Sequence, residues 1–520
     1  MSSSPPAGGA AAATADPNAL DRATMVTAAV VLLGAIMSIL DTTVINVAID
    51  RLAIDFNASL TTIQWVVTGY TLALAAVIPL TGWAADRFGT KRIYIWSLVL
   101  FLVGSILCAA AWSAGSLIAF RVLQGIGGGM IMPAVMTIMT KKAGPHRMGR
   151  VMGILGVPML VAPILGPILG GWLVDDVSWR WIFLINVPIG IVAIALAMIV
   201  LERDESQPAH KLDWLGMALL SPGLTALIFG LAESSGSEGF AATKAWLPIV
   251  AGVALIATFF WHSWRSDAPL IDIKTFTHTR AGASAVVFML FAIAMFGTLL
   301  LIPLYYQTVR GASALEAGLL LAPQGLGAMI TMPLAGRLTD RYGPSKWAAF
   351  GIPLLVVGLA PFAFVEADTP YTLLCGFSFV AGLGMGLAMM PTMTAAMQAV
   401  PPPAIARTST AMNIIRQSGA SIGTAVLSVL LASAITDKLG GGGEGGLEAA
   451  HGISEAQRAQ IAEPLSEAFA QTFVWGLVLM ALAFVPALYM ALAKPSRKPD
   501  SEQPATGVPP ITEEHAAVLE

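Results

Sequence analysis

Residues 79–89 read PLTGWAADRFG, and residues 333–343 repeat the pattern as PLAGRLTDRYG, at an offset of 254 positions. Six of the eleven positions are identical without a gap. Each copy follows an apolar run and ends in Asp-Arg-x-Gly, which predicts a helix that terminates at a charged loop. Helix capping alone would explain one such end but not its duplication at matching places. The duplication predicts two parallel structural repeats, as in alternating-access carriers.

The composition around these segments is that of a membrane protein. Of 520 residues, 56% are hydrophobic and 11% charged, whereas roughly a quarter of an ordinary soluble domain is charged. Apolar runs of about 20 residues, enough to cross a ~30 Å hydrocarbon layer as a helix, recur throughout the chain. We therefore predict an all-α membrane protein with fourteen spans, near residues 25–48, 62–84, 93–113, 115–140, 149–173, 181–201, 214–233, 246–262, 281–306, 314–336, 346–366, 371–398, 405–435 and 470–493.

The distribution of basic residues predicts the orientation of these spans. With fourteen helices, the two tails and the loops on their side carry 20 of the 28 Lys and Arg residues, and the opposite loops carry six. Arg121 and Arg416 fall inside predicted spans. Because basic loops stay in the cytoplasm, both termini are predicted to be cytoplasmic.

The repeat divides the predicted spans into two sets of six with two helices between them. The expected organisation is a disordered cytoplasmic tail at 1–24, an N-terminal six-helix bundle at 25–201, a linker with two extra transmembrane helices at 202–280, a C-terminal six-helix bundle at 281–493 that contains an outer loop at 437–468, and a disordered cytoplasmic tail at 494–520.

Several chemistries are disfavoured by the sequence. The net charge of −3 argues against a nucleic-acid partner, and the lack of any Gly-Lys pair argues against a phosphate-binding loop and an internal ATPase. The six histidines are scattered without metal-ligand spacing. We expect a non-enzyme without cofactor or metal, acting as a monomer in the lipid bilayer.

Four stretches resemble a known family. They are GWAADRFGTKR at 82–92, LDTTVINVA at 40–48, PILGPILGG at 163–171 and SWRWIFLINVPIG at 178–190. The first resembles the signature loop of the major facilitator superfamily, and the others resemble its fourteen-spanner drug:proton antiporter family. The resemblance implies the major-facilitator fold, with two six-helix bundles and two extra central helices, in a bacterial-type inner (plasma) membrane. It also implies export of a small molecule in exchange for protons.

Asp41 and Arg121 are the candidates for proton coupling. A charge within a span costs ~2.5–3.5 kcal/mol on insertion scales and is a functional candidate by default. Both residues lie about 10 Å from the predicted outer ends of their helices, so we expect them to approach each other, directly or through Gln124. The alternative is a static buried pair that only fixes helix register. The resemblance likewise implies roles in proton coupling for the first-helix Asp and the fourth-helix Arg.

Two further sets of residues are predicted to serve the conformational change. The repeated motif and its surroundings predict a cytoplasmic gate formed by Gly82, Asp86, Arg87, Gly89, Arg92, Gly336, Asp340, Arg341 and Gly343. The fifth helix resembles the antiporter motif through Pro163, Gly166, Pro167, Gly170 and Gly171, and plain close packing is the alternative for its stripe of small residues.

The substrate cavity is predicted to involve Gln124, Asn413 and Arg416, with a structural hydrogen-bonding role as the alternative for Arg416. Several of the 24 methionines suit a deformable pocket, although methionine is also an ordinary membrane residue. We expect a proton-coupled antiporter that exports apolar or cationic molecules, as in multidrug efflux. The alternatives are a dedicated exporter of one natural product, lipid or siderophore and, remotely, a non-transporting receptor.

Overall fold

The computed structural model describes residues 20–144, 147–202, 211–234, 239–277, 279–401, 404–439 and 455–492. Within these ranges the chain is helical and contains no β-strand. Thirteen helices of the described residues are long and apolar enough to cross a membrane. The helix Met148–Asp176, with 29 residues, is as long as these spans. The predicted all-α membrane fold is confirmed.

The N-terminal bundle contains six long helices. α1 continues through a 3-10 turn, Ile45–Ala48, into the short helix Ile49–Asp55, and the short helix Trp181–Leu184 precedes α6. The long helices are α1 (Arg22–Val44), α2 (Leu60–Phe88), α3 (Thr90–Ala109), α4 (Ala114–Ala143), α5 (Met148–Asp176) and α6 (Asn186–Val200).

Two helices then separate this bundle from the second one, as the sequence predicts. They are α7 (Trp214–Glu233) and α8 (Thr243–Arg265). The C-terminal bundle contains α9 (Thr279–Thr308), α10 (Ala314–Tyr342), α11 (Pro344–Leu359), α12 (Tyr371–Gln398), α13 (Ile405–Leu439) and α14 (Glu455–Leu492).

The largest boundary difference concerns the predicted outer loop 437–468. The 38-residue α14 begins at Glu455, about 15 residues before the predicted span, and is ~57 Å long. Hydropathy marks only the ~30 Å of helix inside the hydrocarbon. The preceding stretch is rich in Ala, Glu and Gln, which are good helix formers, so the helix continues outside the apolar layer.

Local sequence explains where several helices begin and end. Ser59, Ser113 and Ser313 cap the N-termini of α2, α4 and α10 with their hydroxyls, which satisfies backbone N–H groups that lack a partner within the helix. Gly89 and Gly343, the last residues of the two motif copies, have φ angles of 89° and 87°. Positive φ favours glycine, so both repeats stop α2 and α10 in the same way. We call the end of the bundle that carries these two glycines the motif face.

The most extensive contacts between the two bundles are made by two helix pairs, α2 with α13 and α5 with α10, and α4 with α13 and α5 with α12 also touch. These pairs are equivalent under the repeat, because α10 corresponds to α2 and α13 to α5. The extra helices α7 and α8 pack on each other, and α7 also lies against α2 and α13. The Asp213 carboxylate connects α7, α8 and the segment after α8. It accepts hydrogen bonds from Gly216 N, Leu270 N and His262 Nε2 at 2.8, 3.1 and 2.9 Å.

The motif glycines allow the two bundles to approach closely. A Cβ atom at Gly82 would lie 2.9 Å from the Thr410 hydroxyl and 3.2 Å from the Cα of Arg407 on α13. A Cβ at Gly336 would lie 2.5 Å from the Gly149 carbonyl oxygen and 2.9 Å from the Cα of Arg150 on α5. The contacts at Gly336 are all with backbone atoms, so a side-chain rotation cannot relieve them, whereas the shortest contact at Gly82 is with a side-chain hydroxyl.

We expect Gly336→Ala to destabilise the packing of the two bundles, with Gly318→Ala as the matched control. Both residues lie in α10, so the gain in helix propensity is about equal, but a Cβ at Gly318 meets nothing within 4 Å. Overpacking costs ~1–3 kcal/mol, so Gly336→Ala should unfold several degrees below wild type in a fluorescence thermostability assay, and Gly318→Ala should not. Equal unfolding temperatures for the two variants would contradict the close approach.

Candidate functional site

Asp41 and Arg121 form an ion pair inside the N-terminal bundle. Nη1 of Arg121 donates to Oδ2 of Asp41 at 2.5 Å, and both side chains are fully buried. α1 contributes the carboxylate and α4 the guanidinium. The direct approach expected from the depths of the two residues is present in the structure.

Three polar side chains complete a network around the carboxylate. Gln124 Nε2 and Asn186 Nδ2 donate to Oδ1 of Asp41 at 2.8 and 3.0 Å. The Ser105 hydroxyl accepts from the same two amides at 3.3 and 3.0 Å and donates to the Phe183 carbonyl at 2.9 Å. Asp41 is therefore linked to α3, α4 and α6 as well as to Arg121.

Further contacts hold the Arg121 side chain in place. Nη1 also donates to the Gln124 amide oxygen at 2.9 Å, and Nε donates to the Val66 carbonyl at 3.2 Å. The guanidinium lies 4.2 Å from the centre of the Tyr70 ring. A planar guanidinium can make these contacts at once because its donors have a fixed, forked geometry.

The network makes helix packing sensitive to the charge of one carboxyl group. Ionised, Asp41 acts only as an acceptor and attracts Arg121 strongly; protonated, it carries a donor and loses the Coulomb attraction. Removing one partner of a buried pair costs ~3–5 kcal/mol because the other charge is left uncompensated. A single proton can thus change how α1 is held against α3, α4 and α6.

Asn186 and Ser105 are members of this site that sequence reasoning did not identify. Uncharged polar residues inside a span are too common for their type alone to mark a site. Only the position of Asn186 could have indicated its role, because it lies within SWRWIFLINVPIG, one of the stretches that carry the family resemblance.

The motif face is closed by two ion pairs between the bundles. Nε of Arg407 on α13 lies 3.4 Å from Oδ2 of Asp86 on α2. Asp340 on α10 accepts hydrogen bonds from the backbone N–H groups of Gly149 and Arg150 at 2.8 and 3.1 Å, and Nε of Arg150 lies 3.9 Å away. The Asp340 carboxylate thus lies at the N-terminus of α5, where the helix dipole favours an anion.

The other predicted gate residues divide into two groups. The glycines form the crossings (Gly82, Gly336) and the helix ends (Gly89, Gly343). The arginines of the motif and its loop, Arg87, Arg92 and Arg341, are exposed, and Arg341 lies over the neighbouring Tyr342 ring at 5.2 Å. The two motif aspartates form ion pairs with Arg407 and Arg150, which the sequence did not predict.

The antiporter-motif helix α5 contacts both bundles. Near the motif face, Gly153 packs on the Met332 backbone of α10, at 2.6 Å from a Cβ placed on the glycine. Further along, a Cβ on Gly166 or Gly170 would meet Thr43 or Val44 of α1 at 2.1 or 3.0 Å. The helix therefore joins the region next to Asp41 to the opposite bundle. A Cβ on Gly171 would meet nothing within 4 Å, and Pro163 and Pro167 lie outside the residues whose side chains the structure describes.

Asn413 and Arg416 line a small void of about 10 Å³ between the bundles, which is too small to hold a substrate in this conformation. Gln124, the third residue predicted for the cavity, lies in the Asp41 network, where the sequence also predicts it as a bridge between Asp41 and Arg121. The remaining lining residues are Met136, Phe288, Met389, Met390, Met393 and Met412.

Two repeated helical bundles, a buried charge pair in one of them and ion pairs that close one face define a secondary transporter. The sequence profile of the Major Facilitator Superfamily matches residues 31–424, and the chain belongs to this family.

Similar proteins carry names from drug resistance. The chain is 40% identical over 501 residues, 93% of each chain, to the multidrug resistance protein B homolog of Mycobacterium tuberculosis. It is 31% identical over 402 residues to the multidrug export protein EmrB of Escherichia coli, covering 76% of this chain and 78% of EmrB. Among solved structures, the human organic anion transporter MFSD10 superposes with a TM-score of 0.56 at 14% identity, over 88% of this chain and 99% of MFSD10. The structural match shows the shared fold.

We expect Arg121→Lys to destabilise the protein although it keeps the charge. A single ammonium cannot donate to Asp41, Gln124 and Val66 while covering the Tyr70 ring. The unfolding temperature should fall by several degrees. The control Arg51→Lys changes an exposed ion pair with Asp55 at 3.1 Å, where the expected effect is below ~1 kcal/mol. If both variants unfold together with wild type, the forked geometry of Arg121 is not required.

We expect the Asp86–Arg407 pair to hold the motif face closed. In a background without Cys108 and Cys375, a cysteine at Ser409, which is fully buried beside α4, reports opening by its rate of maleimide labelling in detergent. Asp86→Arg should accelerate labelling several-fold because two like charges then face each other, and Asp86→Arg with Arg407→Asp should restore the slow rate. Failure of the double exchange to slow labelling would exclude the pair as the closing contact.

Proposed function

We propose that this protein is a proton-coupled antiporter that exports small apolar or cationic molecules by alternating access, as in multidrug efflux. The observation that carries the proposal is the Asp41–Arg121 ion pair, buried at 2.5 Å and linked through hydrogen bonds to three further helices. A chain that did not couple transport to an ion would gain little from keeping a carboxyl group at this depth.

The state of the structure suggests the order of events. Asp41 is positioned as an ionised acceptor while the motif face is closed by Asp86–Arg407 and Asp340–Arg150. We assign the motif face to the cytoplasm, because the basic loops lie on that side. In this assignment, the deprotonated protein is closed to the cytoplasm, and protonation of Asp41 from outside favours cytoplasmic opening.

The remaining steps follow from linkage. Once the cytoplasmic side is open, Asp41 releases its proton inside and substrate enters the cavity. The restored Asp41–Arg121 attraction then favours closure of the motif face and delivery of substrate to the outside. A proton can drive this exchange only through its different affinity for the two conformations, and the network around Asp41 supplies that difference.

The available energy is sufficient for export against a gradient. One charge crossing a potential of 100 mV releases ~2.3 kcal/mol, which corresponds to about 50-fold accumulation of substrate per proton. The names of the relatives support drug export as the direction and purpose. We further propose that both termini are cytoplasmic in the inner membrane and that the monomer is the working unit.

We expect Asp41→Asn to abolish uphill transport. In proteoliposomes with an imposed pH difference, wild type should accumulate a dye that it binds, ethidium or fluorescein, against its gradient. Asp41→Asn should transport the same dye at least ~100-fold more slowly, because the amide cannot exchange a proton. The matched control is Asp55→Asn, which alters a carboxylate that accepts from Trp179 Nε1 at 2.9 Å near the end of the short helix following α1.

The control variant should pump at a rate within about twofold of wild type, since a partly exposed ion pair contributes little. Persistent uphill transport by Asp41→Asn would exclude Asp41 as the coupling acid. Loss of transport in both variants would mean that any carboxylate loss in this bundle is disabling, which contradicts a specific role for Asp41.

A further inference from the structure

The cavity between the bundles has a lining of unusual composition. Five methionines and Phe288 form most of the wall, and the polar members are Asn413 and Arg416. All five methionines are buried. Methionine side chains are flexible and polarisable, so such a wall adapts to apolar bodies of different shape.

Both bundles contribute to this cavity. Met136 belongs to α4 of the N-terminal bundle, whereas the other lining residues belong to α9, α12 and α13 of the C-terminal bundle. Arg416 is the twelfth residue of α13, ~17 Å from the start of that helix, which is near the middle of a ~30 Å hydrocarbon layer. A separation of the bundles at the motif face would widen the cavity from one side.

Arg416 lacks the partners that Arg121 has. Its Nε is buried without a hydrogen-bond partner, and no ion pair or hydrogen bond connects Arg416 to any other residue in the described part of the chain. Arg121 also has one buried nitrogen without a partner, Nη2, but its other donors are matched by a carboxylate, an amide oxygen and a backbone carbonyl. Arg416 is partly buried, and a cation at membrane depth is costly unless an anion or acceptor neutralises it.

A cation in this cavity would find no carboxylate partner among the described lining residues. None of its described lining residues is acidic, and Asn413 donates its amide N–H group to the Ser409 carbonyl at 3.0 Å. The buried carboxylate of the N-terminal bundle, Asp41, is already paired with Arg121. A cationic molecule in this cavity would meet the repulsion of Arg416 without a compensating carboxylate.

We propose that Arg416 is the anion-recognising residue of the substrate site, and that the preferred substrates are amphiphilic organic anions with an apolar, often aromatic body and one acidic group. This rests on the proposed export function and replaces the cationic substrates named there with anionic ones. The methionine wall binds the apolar body, and the guanidinium donates to the carboxylate or other acidic group in a charge-assisted hydrogen bond.

Two dyes with the same tricyclic ring and opposite charge test the proposal: fluorescein, an anion, and rhodamine 123, a cation. Binding to purified protein in detergent, without any gradient, is followed by fluorescence anisotropy. Wild type should bind fluorescein more tightly. Arg416→Met should weaken fluorescein binding at least tenfold, the expected loss of a charge-assisted hydrogen bond, and leave rhodamine 123 within twofold or improve it.

Two further variants keep the result interpretable. Arg416→Lys retains the charge and should preserve part of the preference for fluorescein, so it decides the question if Arg416→Met does not fold. Arg337→Met is the same substitution at an exposed position of α10 and should leave both dyes unaffected.

The proposal is overturned if wild type does not bind fluorescein, if it prefers rhodamine 123, or if Arg416→Met weakens both dyes equally. The last result would show that Arg416 only shapes the cavity. Because binding is measured without a pH difference, a failure of proton-driven transport would overturn the proposed function and leave this inference standing, and the reverse also holds.

Discussion

The structure depends on how the charges placed inside an apolar bundle are neutralised. Asp41 and Arg121 are tolerated because each binds the other at 2.5 Å and because two amides, a hydroxyl and the Val66 carbonyl supply most of the remaining hydrogen bonds around them. This pairing is also a constraint on packing, since α1, α2, α3, α4 and α6 must stay in register for the network to form. Buried pairs are weak evidence for stability by themselves, so a network that joins five helices favours a role in selecting between conformations.

The contacts between the bundles repeat the same principle twice. In each half, a motif glycine permits a close crossing and a motif aspartate binds the opposite half, through Arg407 for Asp86 and through the α5 N-terminus for Asp340. The ion pairs lie at one face only, so they can break without disturbing the Asp41 network directly. α5 touches both regions, because its glycines pack on Met332 at one end and on Thr43 and Val44 at the other. It is the element through which the two sites are in physical contact.

The sequence predicted the helices better than the partnerships between them. Hydropathy located the spans because burial in lipid requires long apolar helices, and similar depth predicted that Asp41 and Arg121 meet. The sequence alone did not predict that Arg407 and Arg150 bind the motif aspartates, because these contacts join residues that are far apart in the chain. The sequence predicts Gln124 both as a bridge between Asp41 and Arg121 and as a cavity residue, and the structure brings it to Asp41 and Arg121. The start of α14 was missed because helix propensity extends beyond the apolar segment.

In the proposed mechanism, the charge of Asp41 selects which face of the protein is open. This is tested most directly by the distance between spin labels at the exposed positions Arg92 and Lys346, in the first turns of α3 and α11 at the motif face of opposite bundles, recorded at low and high pH. We expect a longer distance at low pH in wild type, and in Asp41→Asn the longer distance at every pH, because the amide mimics the protonated acid. A distance in Asp41→Asn that shortens at high pH as in wild type would show that Asp41 does not control the opening.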